Sequence, residues 1–444
     1  MSSILDGILV LDFSEYIAGP YAGALLADMG AEVIKIEPPD GGEERRFGGA
    51  ARYRGNTRMS LSLNRGKKGL CLNLKKEEGR QVVYKLVEKA DIIIQNFVPG
   101  AAERLGIDYD TLSKIKKNLV FISSTAFGDI GPYRLRKGFD IIAHAASGIM
   151  SNYADEEGRP RGPGGLAYMD MGTAMLNALA AVSALFHRFK TGEGQKIETS
   201  LFNTGMAMQS SSKMLIEELD TERNEEEMRI LKSAHQEGKT HTQIIDAFSE
   251  LRIRTEQPDT TRPIEVPDCN HRPSDRLTYP YYRVYQTSSG YIGIAALNAK
   301  HRNTVSEVLG IEDKGTNVQM GDISDDLYYQ QKEVMRKIED KLKTNSNEHW
   351  IEKLEGAGVP CGPVNYASTL WEDPQAQAVD MIWQLQNSEI GNYKMPGHPI
   401  RFSKTPVNPG DGAPTLGEHS VDVLKQFGYS ETEIEMLKKD EVVK

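Results

Sequence analysis

Cysteine is scarce in this chain: Cys71, Cys269 and Cys361 are the only three among 444 residues. Their odd number and wide spacing exclude a disulfide framework and fit a reducing compartment, so the cytoplasm is the expected location. Basic charge is also short. Lys and Arg total 53 against 63 Asp and Glu, a net charge of -10, whereas a nucleic-acid partner requires a basic face. No apolar run approaches the roughly 20 residues that cross a bilayer. The opening "MSSILDGILVLDF" has no basic region followed by a long apolar stretch, so neither a membrane partner nor a secretion signal is expected. There is no GxGxxG or Walker-type loop, which leaves no support for NAD or a nucleoside triphosphate as cofactor. Glu348 and His349 in "NEHW" lack companion ligands at suitable spacing, and no metal is expected.

What is present is ordinary globular material, 39% hydrophobic and 26% charged, in a length that suits more than one domain. The segment "GILVLDFSEYIAGPYAGALLADMGAEVIKIEPP" reads as strand, loop, helix and strand, a βαβ unit. "LCLNL", "ADIIIQNF" and "NLVFISSTAF" continue the alternation with charged helical segments such as "KEEGRQVVYKLVEKA" between them. A parallel sheet with helices on both faces is expected over residues 1–205, a Rossmann-like α/β domain. Residues 206–275 read as a glutamate-rich helical insertion followed by a proline-bearing linker. A smaller α+β domain is expected over 276–395, beginning with a hairpin around "SSG" in "YYRVYQTSSGYIGIAAL". Residues 396–444 read as a return segment ending in two helices separated by a glycine.

One stretch raises a question. "GPGGLAYMDMGTAMLNALAAVSALFHRFKTGEG" places Asp170 at the mouth of a small-residue, apolar helix. Aspartate is among the best N-caps, worth about 1 kcal/mol against alanine, and spacing alone favours that role.

Five segments in order resemble the class III CoA-transferases, a superfamily shared with α-methylacyl-CoA racemases. They are "LDFSEYIAGPYAGALLADMGAEVIKIEPP", "QNFVPGAAERLGIDYDTL", "GPYRLRKGFDIIAHAASGIM", "HRFKTGEGQKIETSLF" and "GHPIRFSKTPVNPGDGAPTLGEHSVDVLKQFGYSETEI". The resemblance implies a large Rossmann-like domain joined by linkers to a small one, and two chains threaded through one another as an interlocked dimer, either a homodimer or a pair of related subunits. It implies coenzyme A and acyl-CoA as substrates with no tightly bound cofactor, and Asp170 as the nucleophile. A carboxylate at a helix N-terminus is expected to be held ionised there and to open the thioester as an aspartyl anhydride. A succinyl-CoA donor is the default, and Gly162, Gly164 and Gly165 are candidates for holding the oxyanion.

The same resemblance implies a coenzyme A site along Ile17 and Ala18, along Leu72, Asn73, Leu74 and Lys75, and along Asn96, Phe97 and Val98. Arg104, Arg136, Lys137, Gly138 and Phe139 complete it. Lys75, Arg104, Arg136 and Lys137 suit the phosphates, although single surface cations are commonly solvated. The chain departs from formyl-CoA transferases at Ile17, where they carry glutamine, and at Pro38, where they carry arginine. Their glycine-rich active-site loop is missing here, which argues against oxalate, and Arg272 or Arg276 are candidates for a second acceptor carboxylate. Racemases pair the aspartate with the histidine of a "GHD" motif where this chain has "GFD". Phe139 cannot carry a proton, and His144, one turn on, reads as a packed histidine. A non-catalytic partner subunit is the third alternative.

Overall fold

In the computed structural model, residues 3–46, 55–162, 164–210, 214–256, 280–313 and 325–444 are described. Arg272, Arg276, Cys269 and the linker expected before residue 280 lie outside them. The chain divides into two units, the first comprising Met1–Met150, Gly162–Lys213 and Glu372–Lys444, the second Ser151–Arg161 and Met214–Trp371.

The first unit begins with β1 (Leu9–Asp12), α1 (Ala18–Asp28), β2 (Glu32–Glu37), α2 (Arg58–Leu63), β3 (Lys67–Cys71) and α3 (Glu77–Val87). It continues with β4 (Ile92–Gln95), α4 (Ala101–Leu105), α5 (Tyr109–Ile115) and β5 (Val120–Thr125). Then come α6 (Asp140–Ala146), α7 (Tyr168–Thr191), β6 (Gln195–Ser200) and α8 (Leu201–Ala207). The six strands form one sheet in the order β3-β2-β1-β4-β5-β6, every neighbouring pair parallel. The expected parallel α/β architecture is present. Val10, Leu11, Ile34, Ile92, Ile93 and Ile122 are fully buried, as strands covered on both faces must be. Strand order reverses between β1 and β4, and ligands of such sheets sit outside the carboxyl ends at that reversal.

Helix α7 lies on one face of the sheet, burying Ala174, Ala178, Ala181 and Ala184 with Val10, Ile92 and Leu26. Its small residues permit close approach to α1. Among the described residues α7 alone is long and apolar enough to cross a membrane, which corrects the expectation that no segment approaches that length. That same helix supplies the alanine face that packs on the sheet.

In the second unit, α9 (Glu217–Gln236) and α10 (His241–Glu256) form the expected helical pair. They precede β7 (Tyr282–Gln286), β8 (Tyr291–Ala295), α11 (Ala299–Leu309), α12 (Asp325–Leu342), α13 (Asn347–Gly356) and β9 (Cys361–Pro363). β7 and β8 make the expected antiparallel hairpin, and β9 extends it. Trp350, Tyr285, Ile292 and Leu342 are the centre of this unit's own core.

The chain then rejoins the first unit through α14 (Pro374–Ala378), the hairpin of β10 (Ile382–Asn387) and β11 (Gly391–Pro396), α15 (Ser420–Gln426) and α16 (Glu431–Lys439). The small unit therefore ends at Trp371, not at the expected 395. The hairpin belongs to the large unit because its side chains are committed there. The Arg65 guanidinium lies 5.6 Å from the Trp383 ring centre, and Asn387 donates to the Ala413 carbonyl at 2.7 Å. Val423, Leu424, Phe427, Ile434, Val442 and Val443 complete the core on the far sheet face.

Candidate functional site

Asp170 is the third residue of α7, not its cap. The N-cap is Ala167, which has no side chain to offer. The capping oxygen arrives from α6: Asp140 Oδ1 accepts from the Met169 amide at 2.8 Å and from the Asp170 amide at 3.1 Å. Those two amides are among the donors that a helix start leaves unpaired, so Asp140 satisfies them and the Asp170 carboxylate stays out of the capping role. Among the described residues, no hydrogen bond reaches that carboxylate.

The consequence is electrostatic. Burial, and then the charge of Asp140, push the Asp170 carboxyl from 3.8 up to about 7. The expectation that the helix start holds it ionised is therefore corrected. A carboxylate gains from a helix terminus by receiving its N–H groups, and here another carboxylate receives them. Desolvation wins.

Three loops gather around this point. In the first, after β1, Tyr16 adopts a left-handed backbone (φ 62°), an uncommon state for a bulky residue that surrounding contacts must hold. Asn96, after β4, locks the loop by accepting from the Glu15 amide at 2.8 Å and donating to the Glu15 carbonyl at 2.6 Å. From the third loop, after β5, Phe139 packs edge-on against the Tyr16 ring with centroids 5.1 Å apart. Gly138 is required beside it, because a Cβ there would stand 2.9 Å from the Ala126 Cβ.

Beneath the loops, Ala18, Ala143, Met169 and Leu201 form a small buried cluster. Asn177, a buried polar residue of α7, donates to the Ala18 carbonyl at 3.2 Å and to Ser124 Oγ at 3.1 Å. It also accepts from Thr199 Oγ1 at 2.5 Å. Ile17, Ala18, Phe139 and Asp170 are thus brought into one neighbourhood.

The other residues expected at the site lie around the same sheet edge and in the segment after β3. Phe97 and Val98 line a cavity of about 400 Å³ outside β4 and β5, together with Tyr109, Ser123, Arg134 and Lys196. Lys196 there is already paired, 2.7 Å from Asp129 and 2.9 Å from Glu198. Arg104 and Lys137 are exposed, and the Arg136 guanidinium stacks 3.9 Å from the Tyr133 ring centre. Leu72 is fully buried in the core and bridges to Val443. Asn73 donates its amide to the Val442 carbonyl at 2.8 Å, Leu74 packs against the same core, and only Lys75 of the four is exposed. Gly164 and Gly165 are exposed with left-handed φ of 75° and 79°, and Gly162 abuts His144, where an added Cβ would lie 3.0 Å from Nδ1.

The sequence reading missed Asp140 as cap and charge partner; the signal was its place directly after Phe139. It also missed a buried ionic network behind the first loop. Lys67 Nζ reaches Asp12 Oδ2 at 2.7 Å, the Pro20 carbonyl at 2.8 Å and Asn64 Oδ1 at 2.9 Å. Lys35 donates to the Ser14 carbonyl and pairs with Glu44 at 3.2 Å. Burial pushes the Lys67 amine down to about 8 against the pull of Asp12. A charged residue inside "ILVLDF" was the available sign. Among the described residues no group of acidic, histidine and cysteine side chains is arranged to hold a metal.

Comparisons with known proteins converge. The family described as CoA-transferase family III matches residues 5–248 and 254–420. A succinate–glutarate CoA-transferase from Agrobacterium fabrum is 30% identical, over 95% of this chain and 95% of its own. The human succinyl-CoA:glutarate CoA-transferase is 27% identical, covering 95% of this chain and 85% of that protein. The crystal structure of a CAIB/BAIF family protein from Brucella suis superposes with a TM-score of 0.71 at 26% identity, over 96% of this chain and all of the other.

Proposed function

The chain belongs to CoA-transferase family III, and we propose that it moves coenzyme A from succinyl-CoA to a dicarboxylic acid with Asp170 as the nucleophile. The observation that carries the assignment is a half-buried carboxylate that no donor among the described residues reaches, set beside the reversal point of the sheet. The choice of acids rests on the two relatives named for succinyl or succinate and glutarate.

Ionised Asp170 adds to the thioester carbonyl, the C–S bond breaks, and coenzyme A leaves as thiolate. The product is a mixed anhydride between Asp170 and the donor acyl group. The thiolate then attacks the aspartyl carbonyl, expelling the donor as its free carboxylate and leaving an aspartyl thioester. The acceptor carboxylate repeats both steps in reverse order and departs as the new acyl-CoA. An anhydride retains acyl-transfer potential comparable with a thioester's, so no step falls into a trap.

In this reading coenzyme A runs across the carboxyl ends of the strands. Exposed Lys75, Arg104, Arg136 and Lys137 serve its phosphates, Phe97 and Val98 border its path at the cavity, and Ile17 and Ala18 flank the thioester. Phe139 gives no second acid–base group, which disfavours racemisation. Met175, Leu176, Leu179, Phe186 and Phe189 along α7 are exposed, and so many large apolar side chains left open on one helix support the interlocked dimer. Free Cys71 and Cys361 fit a cytoplasmic enzyme.

Hydroxylamine added during turnover with succinyl-CoA and glutarate should convert Asp170 to its hydroxamate, found by peptide mass spectrometry. Asp170→Asn should fold and transfer nothing. Full turnover by that variant, or hydroxamate only at other side chains, refutes the assignment.

A further inference from the structure

Asp140 holds two oxygens in different company. Oδ1 caps α7 through the Met169 and Asp170 amides. Oδ2 faces back along α6 to His144, one turn on, with Nε2 at 3.8 Å. His144 is 3% exposed, and its ring stacks on Tyr168 at 26° with centroids 6.4 Å apart. Its Nε2 is buried without a hydrogen-bond partner. A buried polar atom left in that state loses free energy unless it finds a partner, and here an acceptor stands 3.8 Å away on the carboxylate that caps α7 beside Asp170.

We propose that His144 is a positioning residue for Asp170, acting through Asp140. When the site closes on substrate, Nε2–H shortens onto Asp140 Oδ2 and draws that negative charge away from α7. The inference rests on Asp170 being the nucleophile. Asp140 opposes ionisation of Asp170, so any donor that compensates Asp140 favours the attacking form. Removing the donor leaves the two carboxylates to repel one another unrelieved. Among the described residues the titratable groups against the imidazole are Asp140 on its own helix and Tyr168 on α7, whose ring stacks on it.

The test is the pH profile of kcat for the full chain with succinyl-CoA and glutarate. His144→Phe keeps the stacking surface and loses the donor. It should lower kcat at pH 7 about fivefold, leave the KM for succinyl-CoA within about twofold, and move the acidic limb up by about one pH unit. His144→Gln retains an N–H donor and should restore part of that shift. In an Asp140→Asn background, where the cap oxygen remains and the charge is gone, His144→Phe should change nothing further. If His144→Phe does not fold, His144→Met carries the same test. An acidic limb that stays in place, or effects of the two substitutions that simply add, overturns the inference. Asp170→Asn in the same assay separates the two readings. Turnover by it overturns both, whereas an inert Asp170→Asn beside an unmoved His144→Phe profile overturns this one alone.

Discussion

Replacing Asp170 by asparagine should make the protein harder to unfold at alkaline pH while abolishing transfer. The Asp170 carboxyl sits at about 7 in the folded chain, against 3.8 for a free aspartate. Below about pH 4 the group is protonated in both states and makes no difference. As pH rises through the window between 3.8 and about 7, the native state holds a proton that the unfolded chain has released. Stability therefore falls across that window and levels off above it. Fully expressed, the displacement corresponds to roughly 4 kcal/mol. Water reaches a half-buried carboxylate, so about 2 kcal/mol is the working figure. In a unit of this size that is about 3–5 °C in Tm. Thermal unfolding of wild type and Asp170→Asn at pH 4.5 and pH 8.5 reads the effect directly. The variant should gain several degrees at pH 8.5 and about 1 °C or less at pH 4.5. Equal differences at the two pH values would refute the claim that Asp170 is held with its proton partly on.

Asp140→Asn should lower the acidic limb of the kcat profile by about one pH unit, since the cap is kept and the neighbouring charge removed; an unmoved limb would contradict the charge role of Asp140. Asn96→Ala should raise the KM for acyl-CoA several-fold, with kcat reduced less, because both hydrogen bonds to Glu15 that lock the first loop are lost. Steady-state kinetics check it, and an unchanged KM would show the loop to be held otherwise. Gly138→Ala should cut kcat by at least tenfold, since the new Cβ would press on Ala126 and displace Phe139 and Asp140. Arg65→Met should destabilise by about 3–5 kcal/mol in urea titration. It removes the two-pronged partner of buried Asp28, at 3.0 and 2.6 Å, and leaves only His398 at 3.1 Å.

What was legible in the sequence is what local pattern decides. "ILVLDF" and the "VIKI" of β2 are apolar runs interrupted by one charge, as buried parallel strands can be, and the sheet follows from them. β6 was harder. Its "QKIETS" is half polar because it is an edge strand whose first residues are exposed, so the run carries no core signal. The start of α7 was placed near Asp170 from composition, yet the cap comes from Asp140, thirty residues upstream, and no spacing rule encodes a tertiary cap. The error over the charge of Asp170 has the same origin. Helix-terminus reasoning assumes that the free N–H groups serve the nearest carboxylate. The hairpin Ile382–Pro396 reads like any small-domain hairpin, and only the contacts of Trp383 and Asn387 assign it to the large unit. Leu72 stands in a segment that the family resemblance marks for coenzyme A. The Leu72 side chain is buried in the core, and of these four residues only Lys75 is exposed, a difference that the local sequence does not reveal.

The chemistry gives a reason for Asp140 to stand where a neutral cap would also serve. A serine cap would satisfy the same two amides and leave Asp170 more acidic. A more acidic carboxylate is a weaker nucleophile, and a better leaving group once acylated. If Asp170 is the nucleophile proposed above, a carboxyl at about 7 remains substantially ionised at neutral pH while attacking with the basicity of a stronger base, the compromise that general Brønsted behaviour favours. The surrounding loops make that compromise usable. Asn96 fixes the first loop, Asn177 fixes the start of α1, and the Tyr16–Phe139 contact joins the first loop to the third, so the charge is raised in energy without the freedom to turn away. In that proposal the second carboxylate supplies the reactivity.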